Sequence, residues 1–269
     1  MDRDKELLTR VWEDRMLFTS QISRIFFSGK TSANVRLRKL WENGYLDRYF
    51  LPTLMFHGST EALYLLGRNG LDIVAITLGM ERAEIARGLS HLKRKVRTHS
   101  FLLSLDHILA VANFRISLEE AAGNNPDLSL EGWIPERMCE DSYQCWRGGE
   151  KISGKIRPDG YCQCRYEDKM YSFFIEVDLG TMSNQAIAHK VQRYLDYSSS
   201  GRYERRFGVP FFRALMATTS SQRMANLKQT TEELTDSIFW FTTLDKIWKG
   251  KLFDRIWLRS GQEGIHKLL

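Results

Sequence analysis

Cysteine is scarce: the four present in 269 residues, Cys139, Cys145, Cys162 and Cys164, are too few for a disulfide framework in a chain this long. A long apolar run is missing as well, since none approaches the ~20 residues a membrane-spanning helix needs. The opening MDRDKELL lacks the apolar core of a secretion signal. Internal repeats and low-complexity linkers are absent, which excludes solenoid arrays and flexible tethers. These gaps point to a soluble, cytoplasmic protein in a reducing compartment, with no membrane partner.

What is present is ordinary globular material. Hydrophobic residues make up 43% and charged residues 27%, and the length suits two domains, each able to bury a core. The net charge of +6 is unevenly distributed. The first 100 residues hold 17 of the 39 basic residues but only 11 of the 33 acidic ones, so the whole surplus lies there. A basic N-terminal part is the electrostatic footprint of a protein facing a polyanion.

Leu7, Leu8, Val11, Trp12 and Leu17 recur at helical spacing over residues 2–17. Thr19 reads as the N-cap of a short helix through Ile22, Ile25 and Phe26, ended by Ser28-Gly29. Thr31 or Ser32 caps a third helix, with Val35, Leu37, Leu40 and Trp41 turned inward or to the flank, before Asn43-Gly44. Two strand-like segments, 45–51 and 61–67, follow around a loop with Pro52 and Gly58. Three helices and a hairpin give the order of a winged helix-turn-helix, assigned to residues 1–70. Residues 71–122 read as a helical connector, best defined from about Ser90 to Ala122. Gly123-Asn124-Asn125-Pro126 marks a boundary. Beyond it, strands at 152–157, 161–166, 171–177, 210–217 and 237–243 alternate with helices at 184–199 and 221–236. That alternation predicts a mixed sheet covered by helices over residues 123–269.

The second helix of a helix-turn-helix presents its N-terminal side chains to base edges in the major groove. Here those are Ser32, Asn34, Arg36 and Arg38, with Lys39 toward the backbone. Arginine suits guanine, asparagine suits adenine and lysine suits phosphate. Arg48 and His57 are expected wing contacts, and Lys93, Arg94 and Lys95 with Arg97 a second phosphate-facing surface. The alternative for Arg36, Arg38 and Lys39 is a solvated helix face, and for the second run a basic cap on a long connecting helix. His99 and His107, two turns apart without a carboxylate or thiol, read as structural. The cysteine spacing fits zinc knuckles poorly, so the thiols read as semi-buried.

The most informative stretch is residues 155–181. Asp159 sits in the turn Arg157-Pro158-Asp159-Gly160, and the apolar run Phe173-Phe174-Ile175 leads into Glu176-Val177-Asp178. Strand alternation puts Glu176 and Asp178 on one face. Two acids ending an apolar strand are costly unless neutralised, and a divalent cation is the usual remedy. Asp159, brought alongside by a hairpin, would be a third oxygen ligand.

This arrangement resembles the PD-(D/E)XK nucleases, in which an aspartate and a strand bearing Glu-x-Lys hold magnesium and activate water. The sequence departs from that pattern in carrying Asp178 where the lysine usually stands. Some members move the lysine into the following helix, and Lys190 is then its counterpart. The layout is more specifically similar to the replication-relaxation family of plasmid and mobile-element proteins. The matching elements are RPDG at 157–160, EVDLGT at 176–181, and Lys190 with Tyr194 and Tyr197. It also resembles the MOB-C class of conjugative relaxases. The resemblance implies a restriction-endonuclease-like α/β/α domain behind the winged helix. It further implies Mg2+ or Mn2+ held by Asp159, Glu176 and Asp178, and DNA nicking or relaxation at a plasmid origin. Lys190 or Arg193 would stabilise the developing charge. Tyr194 or Tyr197 is either a covalent nucleophile or a core residue. Expected partners are double-stranded DNA, a second copy of the chain, and replication or conjugation proteins. The competing expectation is a catalytically silent regulator or relaxosome accessory protein whose C-terminal domain dimerises or recruits partners.

Overall fold

The computed structural model describes residues 2–51, 61–96, 101–248 and 251–269, and the chain divides into two compact units, 1–116 and 117–269. The first unit contains α1 (Asp2–Glu13), β1 (Leu17–Phe18), α2 (Thr19–Phe26), α3 (Lys30–Glu42), β2 (Leu46–Phe50) and β3 (Ala62–Leu66). These are followed by α4 (Gly70–Leu78), α5 (Arg82–Ala86), α6 (Leu89–Lys95) and most of α7 (Phe101–Gly123). Its small antiparallel sheet has the order β1-β3-β2.

The apolar stripes foreseen in the sequence form the core: Leu7, Val11 and Trp12 of α1 meet Ile22, Leu37, Leu40, Leu46 and Leu66. Several boundaries differ from expectation. The first helix stops at Glu13, because Arg15 takes a positive φ of 69° and turns Leu17 into β1 opposite Tyr64. Thr19 is not a cap: Gln21 accepts from the Phe18 amide at 2.9 Å, and the Thr19 hydroxyl donates to the Ala62 carbonyl instead. The third helix begins at Lys30, and Ser32 lies inside it with its hydroxyl turned back to the Gly29 carbonyl. Val35 is 56% exposed, not inward-facing.

Residues 71–116 are more than a connector. Val74, Ile85, Leu89 and Ala112 belong to the same core as α1, so this segment completes the first unit. The helix expected from Ser90 to Ala122 is two helices, α6 and α7. Arg97 and His99 lie outside the described residues, as does His57.

The second unit is mixed α/β. It contains β4 (Leu128–Pro135), α8 (Glu136–Cys139), β5 (Asp141–Arg147), β6 (Glu150–Ile156), β7 (Gly160–Tyr166), β8 (Lys169–Asp178) and α9 (Asn184–Ser199). Then come α10 (Arg202–Phe207), β9 (Arg213–Thr218), α11 (Ser221–Glu232), β10 (Phe239–Thr243), α12 (Leu244–Ile247), β11 (Trp257–Arg259) and β12 (Gln262–His266). A seven-stranded mixed sheet runs β12-β11-β10-β9-β8-β7-β4, with β8, β9 and β10 parallel to one another. Parallel neighbours need crossovers, and α9 and α11 supply them. Phe174, Ala214, Met216, Phe239 and Phe241 pack under these helices against Ile187, Val191, Tyr194 and Leu227.

The strands β5 and β6 do not join this sheet. They pair only with each other, around Gly148 and Gly149, both at positive φ, as a tight hairpin requires. This arm is inserted between β4 and β7, which are themselves antiparallel partners, with Pro135 opposite Gly160. No helix among the described residues is long and apolar enough to cross a membrane.

Candidate active site

Asp159 is set at the start of β7 by backbone contacts on both sides. Its amide donates to the Ile175 carbonyl at 3.0 Å, and its carboxylate accepts from the Val177 amide at 2.7 Å. The next residue is glycine, and a Cβ there would come within 2.4 Å of the Trp133 ring, which would have to move aside. Register places Gly160 opposite Ile175, so Asp159 arrives beside Glu176 on the adjoining strand.

Glu176 is 3% exposed and fully occupied by α9. Lys190 Nζ donates to Oε2 at 2.5 Å and the Tyr194 hydroxyl to Oε1 at 2.6 Å. Lys190 and Tyr194 are four residues apart, hence on one face of the helix. Ser183 caps that helix by accepting from the Ala186 amide. The helix-borne lysine thus meets the strand-borne glutamate.

Burial raises the Glu176 pKa, and the nearby Asp159 charge adds to the rise while Lys190 opposes it. Burial also works against the Lys190 ammonium, but the Glu176 and Asp159 charges more than offset it, so its pKa is raised too. Both shifts favour retained protons, as expected where two carboxylates share one ammonium. Burial, reinforced by Glu176, pushes the Tyr194 phenol well above its ordinary value. Tyr194 is therefore a neutral donor here and a poor nucleophile at neutral pH. Tyr197 is elsewhere, donating to buried Asp141 at 2.8 Å. Arg193 is exposed.

Asp178 has partners of its own. It leaves the same face of β8 as Glu176, but Arg223 of α11 grips it with two N–H groups, at 2.6 and 3.1 Å, and Thr218 donates to it at 3.2 Å. The Asp178 charge is thus met by a guanidinium, whereas that of Glu176 is met by an ammonium. Among the described residues no group of three or more His, Cys, Asp or Glu side chains is arranged to hold a metal. All four cysteines are buried free thiols rather than semi-buried ones. Arg223 was missed from sequence. Its signal is positional: it lies in the first turn of the helix that leaves parallel strand β9, near the carboxyl end of β8, where ligand sites in such sheets collect.

In the first unit, Asn34, Arg38 and Lys39 are exposed along α3, with Arg38 tied to Glu42 in a solvated pair. Ser32 is exposed near the start of the helix. Arg36 is drawn aside into a two-point ion pair with Asp4 of α1. The Arg48 guanidinium stacks 3.6 Å from the Trp41 ring. Lys93 pairs with Asp47 at 2.6 Å, Arg94 is exposed, and Lys95 ends α6. Arg48, Lys93 and Arg94 line one cleft of about 450 Å³ with Trp41, Asp47 and Tyr49. The basic residues of β2 and α6 thereby meet.

A family model described as replication-relaxation matches residues 8–210, three-quarters of the chain and all of the elements above from α2 to α10. The chain belongs to the replication-relaxation family. No curated protein and no solved structure matches it.

Proposed function

We propose that this replication-relaxation protein grips duplex DNA with its first unit and breaks a phosphodiester bond with Asp159, Glu176 and Lys190 of its second. The observation carrying the reading is the contact of Lys190 with Glu176 beside Asp159, at the end of a central strand. It restores a two-carboxylate-plus-lysine set even though Asp178 stands where a strand lysine would. The order β4-β7-β8-α9-β9, with an antiparallel meander and a parallel fourth strand, supports a restriction-endonuclease-like domain. Three helices followed by the β2–β3 hairpin support a winged helix-turn-helix, with Asn34, Arg38 and Lys39 toward the groove and Arg48, Lys93 and Arg94 toward phosphates.

Two buried carboxylates with one ammonium leave a surplus negative charge, which suits a divalent cation. Magnesium needs only one or two protein carboxylates, the rest of its shell being water and substrate phosphate. Asp159 and Glu176 would hold Mg2+ or Mn2+, and Asp178 would not. Such an ion, when bound, polarises the phosphoryl oxygen and lowers the pKa of a water. Lys190, kept protonated by its neighbours, supplies positive charge to the phosphorane-like transition state. Tyr194 holds the Glu176 carboxylate in orientation. In this reading the substrate is an origin-type site on a plasmid or mobile element, and the partners are replication or conjugation proteins.

One observation favours a second reading. Both Glu176 oxygens are already held by protein donors and Asp178 is locked to Arg223, as in a silent docking or dimerisation platform. Supercoiled plasmid incubated with Mg2+, Mn2+ or EDTA separates the two. Nicking requires open circles with either metal, none with EDTA, and at least a ~10²-fold loss in Glu176→Gln and Lys190→Met. Supercoils left intact by the folded wild-type chain under every condition establish the silent platform.

A further inference from the structure

We propose that the β5–β6 arm, with α10 beside it, is a second nucleic-acid surface that takes single-stranded DNA. The identity of the strand rests on the nuclease reading above; the binding itself does not.

Alternation along the arm separates two kinds of surface. Asp141, Tyr143, Cys145 and Ile156 face inward and are buried. The other face carries the cross-strand pairs Ser142–Lys155, Gln144–Ser153 and Trp146–Lys151, with no carboxylate among them. Trp146 is 72% exposed near the hairpin tip. An indole left in water on a short, tightly turned ribbon is a platform for an unpaired base, since every base offers a π-face. A paired base inside a duplex offers none, which is why the strand is single.

The cationic partner surface comes from α10. Arg202 and Arg205 border an open cleft of about 770 Å³ together with Ser142, Gln144, Ser153 and Lys155. Arg202 is fixed by Asp141 at 3.1 Å. Arg205 donates only to the Ser200 carbonyl and has no carboxylate partner among the described residues. Lys155 contacts Glu140 on the solvated rim. Stacking platform and cationic cleft lie about 13 Å apart along the strand, a span one short strand of DNA bridges. The chain then passes from the end of β6 at Ile156 to Asp159 in three residues. On the nuclease reading, the base of this face is joined by that short connection to the residue proposed to hold the ion.

The test uses the full chain in EDTA, with a labelled oligothymidylate of about 20 nucleotides read by fluorescence anisotropy. Trp146→Ala is expected to weaken binding at least ~5-fold, and Trp146→Phe to keep most of it. Lys155→Gln combined with Arg205→Gln is expected to reduce the slope of log K against log salt by about 1.4, or 0.7 for each lost phosphate contact. Binding of a duplex of the same length should stay within about twofold in all three, and unfolding midpoints should not move. Failure of the wild type to bind, or equal affinity in wild type and Trp146→Ala, overturns the proposal. Loss of binding in these variants alongside a chain that never nicks plasmid keeps the arm and discards the nuclease. Nicking with unaltered oligothymidylate binding does the reverse.

Discussion

Glu176 and Asp178 leave the same face of β8 and meet different cations, a lysine from α9 and an arginine from α11. Sequence spacing establishes the shared face but not the partners, because Lys190 and Arg223 lie 14 and 45 residues away along the chain. The Asp178–Arg223 pair is largely buried, and its two-point geometry satisfies both oxygens. Truncating the arginine leaves an uncompensated buried charge. Arg223→Ala should therefore cost about 3–5 kcal/mol of folding stability, whereas Asp178→Asn with Arg223→Ala together should cost much less. Urea unfolding of the single and double variants measures the difference. An equal loss in both would mean that packing, not charge, is what Arg223 supplies.

At the scale of elements, the arm packs its apolar face into the core, and one carboxylate adds a charged tie to α9 and α10. Asp141 is buried, which alone would raise its pKa, but hydrogen bonds from Tyr197 and Arg202 and the Arg206 charge more than offset this, so it is lowered. A depressed carboxylate contributes stability that is complete above the ordinary carboxylate range and is lost as pH falls through its folded value. Amides of β5 and β6 should thus lose hydrogen-exchange protection on acidification before those of β8 do, and Asp141→Asn should remove that pH dependence. Protection lost in both at the same pH would place the anchor elsewhere. The arm is also where sequence reading fell short. The runs FFIEVD, RALMAT and FWFTT announce β8, β9 and β10 because buried parallel strands are continuously apolar. By contrast β5 reads DSYQCWR, with polar residues scattered through it, and β4 carries Gly132 and a register shift. Neither has an apolar run long enough to stand out. Glu176 stood out as a candidate because its charge ends an apolar run, and Asp159 because it sits in the turn Arg157-Pro158-Asp159-Gly160. Arg223 was not, since a lone arginine in a first helical turn looks like any solvated one.

Across the whole molecule, the basic surplus of the first 100 residues sits on a unit that is complete by residue 116. The exposed Arg38–Glu42 pair is worth little in water, so on the proposed DNA-binding reading Arg38 would exchange it for phosphate or base. Arg36, paired with Asp4, would not. Arg38→Ala with Lys39→Ala should lower the salt slope of duplex binding by up to about 2, while Arg36→Ala should lower the unfolding midpoint and leave base preference alone. Anisotropy titrations on duplexes over a range of salt decide this, and a changed base preference in Arg36→Ala would return that residue to the groove. The arm has one more consequence. Pro135 and Gly160 are cross-strand neighbours, so residues 136–159 depart from and return to a single point on the rim of the sheet. Chain inserted at such a point disturbs no ladder, and closing a longer or shorter excursion there changes the entropy only logarithmically. The exposed tip of the appendage, around Gly148 and Gly149, can be trimmed, extended or exchanged while its buried base and Asp159 stay in register, which makes this corner a cheap place for new specificity to be tried.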